Sequence, residues 1–382
     1  MVRAMTRAYL VVVVVVAACS SAPAVVDAPG PSDASGASPV DLAGDLAPIA
    51  AQYQVPAMAA LAADETTILG RGVTGVRKLG DPTLATNLDR WHLGSDTKAM
   101  TATLIAGYVE AGTLGWDTKL PQLFPAITVD AGYRDVTLAM LLAHVGGLPA
   151  DLPADVETTL SGSGTPRDLR LAAVQQLLTR APATTPGTYS YANAGYIVAG
   201  AALELAANAA WEDLITRKLF QPLAMASCGF GPSATAGTVD APWGHVLENG
   251  ALVAVNLDNP PALGPAGTVH CSLVDWLAFL REHLNGATGA PTVLGLQAAT
   301  WAKLHAPYAG SDYAMGWIVA SRPWANGIAL THVGDNTLNV ADVWIAPSIH
   351  RIYLSTGNRG DDPAISAADS AVGKLVTRFP AP

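Results

Sequence analysis

Three short stretches place reactive side chains at spacings that suit attack on a carbonyl carbon. The first is Ser95-Asp96-Thr97-Lys98. Positions i and i+3 share one face of a helix, so the Lys98 ammonium can lie beside the Ser95 hydroxyl. A serine is a weak nucleophile until a neighbouring base takes its proton. Lys98 supplies either that base or the positive field that tunes one. A helix N-terminus adds free backbone N–H groups and a favourable dipole, which suit an oxyanion. Taken alone, the same four residues also describe an N-cap serine followed by a solvated lysine.

The second stretch is Tyr191-Ala192-Asn193, in a loop that runs from Pro186 into an apolar helix. A tyrosine held between cations can have its pKa lowered far enough to act as a base. Asn193 carries both a donor and an acceptor, which suits a substrate amide. Out of context, Tyr191 reads as a half-buried aromatic and Asn193 as an N-cap. The third stretch is Thr331-His332-Val333-Gly334-Asp335 at the end of a strand. Gly334 leaves room for a substrate backbone along the strand edge. His332 would project into the cleft as a polar or cationic group. By itself it would be a strand-end histidine facing solvent.

Hydrophobic periodicity names the elements that must bring these stretches together. A short helix is expected over about 41–54, with Leu42, Leu46, Ile49 and Tyr53 on one side and Pro48 interrupting it. Strands follow near Ala57–Ala63 and Thr67–Val76. Helical spacing starts at Ser95, with Met100, Leu104, Tyr108 and Val109 on one face and Gly112 as a stop. Further helices are expected around 136–142, 169–179, 195–206, 211–219 and 272–284, between Pro- and Gly-rich loops. After about residue 310 the pattern turns to strands at 314–320, 327–333, 338–345 and 351–356. An amphipathic helix closes the chain, with Ile365, Ala368, Val372, Leu375, Val376 and Phe379 on one face. Strands at both ends with helices between them predict an α/β (α+β) fold. In it an antiparallel sheet, built from both chain ends and flanked by helices, carries an inserted, mainly helical lobe. The sheet lobe is expected at about 39–90 and 290–382, and the helical lobe at about 91–289.

Ser95-x-x-Lys98, Tyr191-x-Asn193 and His332-x-Gly334, in that order, resemble the three active-site motifs of the serine β-lactamase-related superfamily. It includes class C β-lactamases, D,D-carboxypeptidases, D-aminopeptidases and related esterases. Supporting stretches are similar too: Leu141–Pro149, Pro265-Ala266-Gly267-Thr268 leading to Trp276–Leu280, and Tyr313–Trp317. The likeness runs from about residue 45 to 378. It implies that Ser95 forms an acyl-enzyme and that Tyr191, helped by Lys98, takes and returns the proton. It also implies that backbone N–H groups at Ser95 and near Asp335 bind the oxyanion, while Asn193 and His332 orient substrate. His144 is expected at most to brace the cleft wall. Two departures bear on substrate. Class C enzymes usually carry lysine where this chain has His332, and histidine there is more typical of the peptidase and esterase branches. Gly334-Asp335-Asn336-Thr337 lacks a further glycine seen in many relatives, and Asp335 is expected to bring a carboxylate near the oxyanion position.

The whole chain narrows the choice further. Its 382 residues are half hydrophobic and carry a net charge of −10, which argues against a nucleic-acid partner. Arg3 and Arg7 precede an apolar run, Ala8–Ala18, that is too short to span a bilayer and reads as a signal peptide over 1–18. Val16-Ala17-Ala18-Cys19 resembles the box recognised in bacterial lipoprotein processing, which implies cleavage before Cys19 and its lipidation. Several acyl chains on one residue anchor a protein stably. Residues 19–38 then form a lipidated cysteine and a flexible Ser/Ala/Pro/Gly-rich tether to a hydrolase domain over 39–382. Ordinary secretion with Cys19 incidental is the alternative. Localisation would be the bacterial cell envelope, at the outer membrane or periplasm in a Gram-negative cell. An oxidising compartment permits a Cys228–Cys271 disulfide, but two buried reduced thiols fit the sequence equally.

The remaining histidines (His92, His144, His245, His270, His283, His305 and His350) show no zinc spacing, and no H-E-x-x-H is present. The absence of G-x-S-x-G argues against an α/β-hydrolase triad. No metal and no cofactor are expected. The expected partner is a small-molecule or peptidoglycan-type substrate, taken by a monomer. The reading is an exported serine hydrolase of the esterase or peptidase branch. A true class C-type β-lactamase or D,D-carboxypeptidase is the first alternative. A catalytically silent envelope binder is the second, and the presence of Ser95, Lys98 and Tyr191 together argues against it.

Overall fold

The computed structural model describes residues 38–382. The expected signal peptide, Cys19 and nearly all of the tether lie outside the described residues. Among those described, strands β1 (Val40–Asp41), β2 (Ala57–Ala63) and β3 (Ile68–Gly75) come from the N-terminal part. The C-terminal part supplies β9 (Ile318–Arg322), β10 (Gly327–Asp335), β11 (Val340–Ala346) and β12 (Arg351–Gly357). They form one sheet in the order β1-β3-β2-β12-β11-β10-β9. The two chain ends meet at β2 and β12, where Leu61 pairs with Leu354. The sheet is mixed rather than wholly antiparallel, because β1 runs parallel to β3. That two-residue edge strand leads straight into α1 (Ala43–Tyr53), which crosses back over the sheet. Gly72 permits the crossing, since a Cβ there would lie 2.6 Å from the Ala43 nitrogen.

β2 reads AMAALAA, a composition that favours helix by intrinsic propensity, yet all seven residues are buried in the sheet. Small side chains on both faces let helices pack closely on each side. Met58, Ala60 and Ala62 face the core under α1 and the C-terminal helix Asp362–Arg378. Ala57, Ala59, Leu61 and Ala63 face the larger core, which continues into the inserted region. The C-terminal helix buries the expected stripe, including Ala368, Val372 and Leu375, and Asp361 caps it by accepting from the Ala364 N–H.

The insert is mainly helical but holds short strands whose alternation is too brief to register in the sequence. β4 (Arg90–His92), β5 (Gly229–Phe230) and β8 (Val269–Ser272) form a small sheet in the order β4-β8-β5. β6 (Gly244–Glu248) and β7 (Ala251–Val255) form a hairpin. The helix expected from Ser95 begins two residues later. Gly94–Asp96 forms a 3₁₀ turn, and α2 spans Thr97–Glu110. Thr97–Ala106 is buried all round rather than on one face, because the helix runs through the middle of the molecule. The strand expected from residue 314 starts only at Ile318. Gly316, with φ +86°, turns the chain against α2, and a Cβ there would lie 2.5 Å from the Ala99 Cα.

Cys228 and Cys271 are joined in a disulfide, the first of the two alternatives left open by the sequence. Cys271 lies on β8 opposite Trp91 of β4, so the link ties the chain just ahead of β5 to the strand that pairs with β4. It spans 43 residues. Replacing both cysteines with alanine should lower stability by about 2–4 kcal/mol, read from the denaturant midpoint. An unchanged midpoint would show that this loop is already ordered in the unfolded chain.

Candidate active site

From Trp91 to Ala106 every residue is buried except Ser95. β4 delivers the chain to this point, and Leu93 is fixed by its N–H to the Val269 carbonyl. The 3₁₀ turn then lifts Ser95 out of the core just ahead of α2. Lys98 lies fully buried one turn later. Its Nζ is 2.9 Å from Ser95 Oγ, 2.8 Å from Asn193 Oδ1 and 2.7 Å from the Ala266 carbonyl. Burial pulls the Lys98 amine down from its ordinary value to about 7, against a smaller opposing effect of Asp96. The two acceptor oxygens take two N–H bonds. In the neutral amine the third direction is a lone pair, aimed at Ser95 Oγ.

Tyr191 donates its hydroxyl to Ser95 Oγ at 2.8 Å. Its phenol is not primed as a resting base. Burial pushes its pKa up; the bond to Ser95 offsets this only in part, and Asp96 and Tyr189 add to the rise. Lys98 Nζ sits over the ring, 4.9 Å from its centroid, and adds no resolved lowering of the phenol. The lowered pKa expected from flanking cations is thus reversed by burial, while Lys98 is the group whose pKa falls near neutrality. Asn193, the first residue of the helix Asn193–Ala207, points its carbonyl at Lys98.

The third stretch closes the site from β10. Alternation along the strand puts His332 and Gly334 on one face. Gly334 is laid on the backbone before Ser95, where a Cβ would come within 1.9 Å of the Leu93 carbonyl oxygen. In the reverse direction, a Cβ on Gly94 would lie 2.7 Å from the Asp335 nitrogen. The peptides around Ser95 and Asp335 thus meet with no side chain between them.

His332 is buried, with Nε2 3.1 Å from the Tyr313 hydroxyl and Nδ1 3.5 Å from Asp96 Oδ1. Burial and then the Lys98 charge lower it to about 3, so it is neutral, not the cationic group the sequence left open. Burial and the Asp342 carboxyl push Asp96 well above the carboxylate range, against the pull of Lys98. With His332 neutral, the Asp96–His332 approach is not an ion pair. The Asp335 carboxylate is also not where the sequence suggested. It turns away to accept the Thr337 N–H and packs against Gly360.

Sequence reasoning missed Asp96, which occupies a variable position of the motif and carries no spacing signal. It quoted Tyr313 only within a supporting stretch. His144 does brace the wall. It adopts φ +58°, accepts the Ala192 N–H at 3.1 Å on Nδ1, and its ring lies 4.2 Å from the Tyr191 ring.

The Beta-lactamase family profile matches residues 42–380. This chain belongs to that family. It is 29% identical over 287 residues to Penicillin-binding protein 4 of Amycolatopsis lactamdurans, covering 73% of this chain and 72% of the relative. Among solved structures, the octameric penicillin-binding protein homologue from Pyrococcus abyssi superposes with a TM-score of 0.72 at 20% identity. That match covers 88% of this chain and 77% of the other. A D-stereospecific amidohydrolase from Streptomyces sp. gives 0.65 at 20% identity, covering 84% and 95%. These two structures support the fold, a sheet from both chain ends with a helical insert.

Two outcomes test this β-lactamase-family site. Gly334→Ala cannot be accommodated without moving backbone, so it should cut Ser95 labelling by a fluorophosphonate at least about tenfold, with a cost of about 1–3 kcal/mol in stability. Protonated Lys98 cannot accept the Ser95 proton, so labelling should fall about tenfold per pH unit below about pH 7 and level off above it. A profile flat from about pH 5 to about pH 9 would remove Lys98 as the base.

Proposed function

We propose that this protein is an exported serine hydrolase that cleaves ester or amide carbonyls through an acyl-Ser95 intermediate, in the esterase or peptidase branch. The observation that carries this reading is the double contact on Ser95 Oγ, from Lys98 Nζ at 2.9 Å and the Tyr191 hydroxyl at 2.8 Å. In the resting site neutral Lys98 accepts the Ser95 proton as Oγ attacks the carbonyl carbon. The N–H groups of Ser95 and Asp335 take the negative charge that develops on the carbonyl oxygen. The Tyr191 hydroxyl gives its proton to the departing oxygen or nitrogen and is reprotonated from Lys98. A water then attacks the acyl carbon, loses its proton to the same pair, and Ser95 Oγ regains one as the acid leaves.

The third motif favours substrates without a carboxylate beside the scissile bond. Where class C enzymes place a lysine, this chain holds a neutral, buried histidine. The likeness to a D-stereospecific amidohydrolase supports an amide or ester substrate, of small-molecule or peptidoglycan type. The likeness to a penicillin-binding protein keeps D,D-peptidase activity, or β-lactam turnover, as the second reading. The disulfide supports export, since such links persist in oxidising compartments. Lipidation at Cys19 belongs to the same proposal.

Hydrolysis of a short-chain p-nitrophenyl ester should be abolished in Ser95→Ala and reduced about 10²–10⁴-fold in Tyr191→Phe. Ester turnover unchanged in Ser95→Ala would overturn the nucleophile assignment. Intact mass after mixing with a penicillin separates the branches. A lasting Ser95 adduct favours a penicillin-binding peptidase, rapid decay a β-lactamase, and no adduct the esterase or amide hydrolase.

A further inference from the structure

The oxyanion position depends on two pieces of backbone that come from distant parts of the chain. One is the turn Gly94–Asp96, and the other is the end of β10. Neither N–H group is held by a catalytic side chain, so something else must fix the gap between them.

Three polar residues with buried side chains, outside the acyl-transfer machinery, connect these pieces. His92 Nδ1 accepts the Gly94 N–H at 3.0 Å. A neutral imidazole accepting at Nδ1 carries its proton on Nε2. That Nε2 lies 2.9 Å from Asp258 Oδ1, an off-axis contact between side chains only 1% and 2% exposed. The same Asp258 oxygen accepts from Asn336 Nδ2 at 3.0 Å. Asn336 follows Asp335 directly, and its Oδ1 takes the N–H groups of Leu338 at 3.2 Å and Asn339 at 2.9 Å, closing the turn after β10. The loop that carries Asp258 also holds Asn259, whose Nδ2 donates to the Gly267 carbonyl at 3.1 Å. Gly267 in turn rests on Gly94, where a Cβ would lie 3.5 Å from the Gly94 carbonyl carbon.

We propose that His92, Asp258 and Asn336 form a buried strap that sets the spacing of the Ser95 and Asp335 N–H groups, making them positioning residues for the oxyanion. The proposal rests on the acyl-serine reading above. A strap from Gly94 to Asn336 spans the oxyanion position from one side to the other. Donors there must be held to within about half an ångström to stabilise developing charge. The hydrogen bonds at the two ends of the strap, Gly94 N–H to His92 and Asn336 to Asp258, are costly to break because each would leave a desolvated polar group, and the 2.9 Å approach of His92 to Asp258 closes it in the middle.

The test uses the full chain, with His92→Leu and Asn336→Ala to break the strap. His92→Gln retains an acceptor for Gly94 and a donor for Asp258. Each is assayed for ester kcat and KM, and for inhibition by an arylboronic acid, whose tetrahedral adduct places an oxygen in the oxyanion position. Breaking the strap should lower kcat about 10- to 100-fold, leave KM within about threefold, and weaken boronate inhibition by the same factor as kcat. His92→Gln should recover most of both. Folded variants whose melting temperature falls while kcat and boronate affinity hold would overturn the proposal, as would a loss confined to KM. If His92→Leu does not fold, Asn336→Ala and His92→Gln decide the matter in the same way. A parent protein that a fluorophosphonate fails to label at Ser95 overturns the acyl-serine reading and the strap's role together. A labelled parent with unaffected variants overturns the strap alone.

Discussion

A lysine amine enclosed by protein and bonded to two carbonyl-type oxygens has one direction left for chemistry. In this chain the oxygens belong to Asn193 and Ala266, and the remaining direction faces Ser95 Oγ. Much of the architecture serves that enclosure. α2 is buried all round through its first turns, so Lys98 cannot reach water by swinging aside. Thr101 ties α2 to the Pro265 carbonyl at 2.8 Å and thereby holds the neighbouring Ala266 carbonyl in place. The helix Asn193–Ala207 brings Asn193 from the opposite side, with Tyr191 two residues earlier. Burial alone would make the amine a poor cation; the fixed acceptors decide where its lone pair points.

The second constraint is the direct meeting of backbones at Leu93–Gly94 and Gly334–Asp335. It needs β10 to be in register with its neighbours, because a one-residue slip would turn Val333 rather than Gly334 toward the turn. β10 is fixed on both sides, pairing Leu330 with Ile345 on β11 and with Val319 on β9. β11 pairs with β12, and β12 with β2. The N-terminal strands therefore help set the register of a strand almost three hundred residues away. This gives a physical reason for building one sheet from both chain ends: the insert supplies Ser95, Lys98 and Tyr191, and the sheet supplies the other wall.

What the sequence made legible follows from what its signals encode. Spacing encodes shared faces, so Ser95 with Lys98, Tyr191 with Asn193 and His332 with Gly334 could be read directly. The order of strands and helices could be read too, because long alternating or helical stretches leave a period. The edge strand β1 and the small strands β4, β5 and β8 span two to four residues, too few for any period. Electrostatics was the least legible layer. Whether Tyr191 is primed or merely a donor depends on how much water reaches it and where its one nearby cation sits. The same holds for His332, Asp96 and the direction of the Asp335 carboxylate, each set by packing against residues far away in the chain.

Those charge states fit together. His332 and His144 are neutral at neutral pH and Tyr191 is a phenol, because burial penalises their ions, and the same penalty pushes the Asp96 carboxyl well above its ordinary range. Lys98, beside Ser95 and poised near 7, changes charge within the neutral range. A site of this kind meets its substrate with little fixed charge of its own. In the proposed reaction, charge would appear only as the reaction proceeds, on the lysine that takes the proton and on the oxygen between the two backbone N–H groups. The low-dielectric surroundings that keep the resting site neutral also strengthen the attraction between that new ammonium and the new oxyanion. On that proposal the burial of Lys98 does two jobs that cannot be separated: it lowers the amine to about 7, where it can take a proton at neutral pH, and it makes the cation it becomes more effective once the proton has moved.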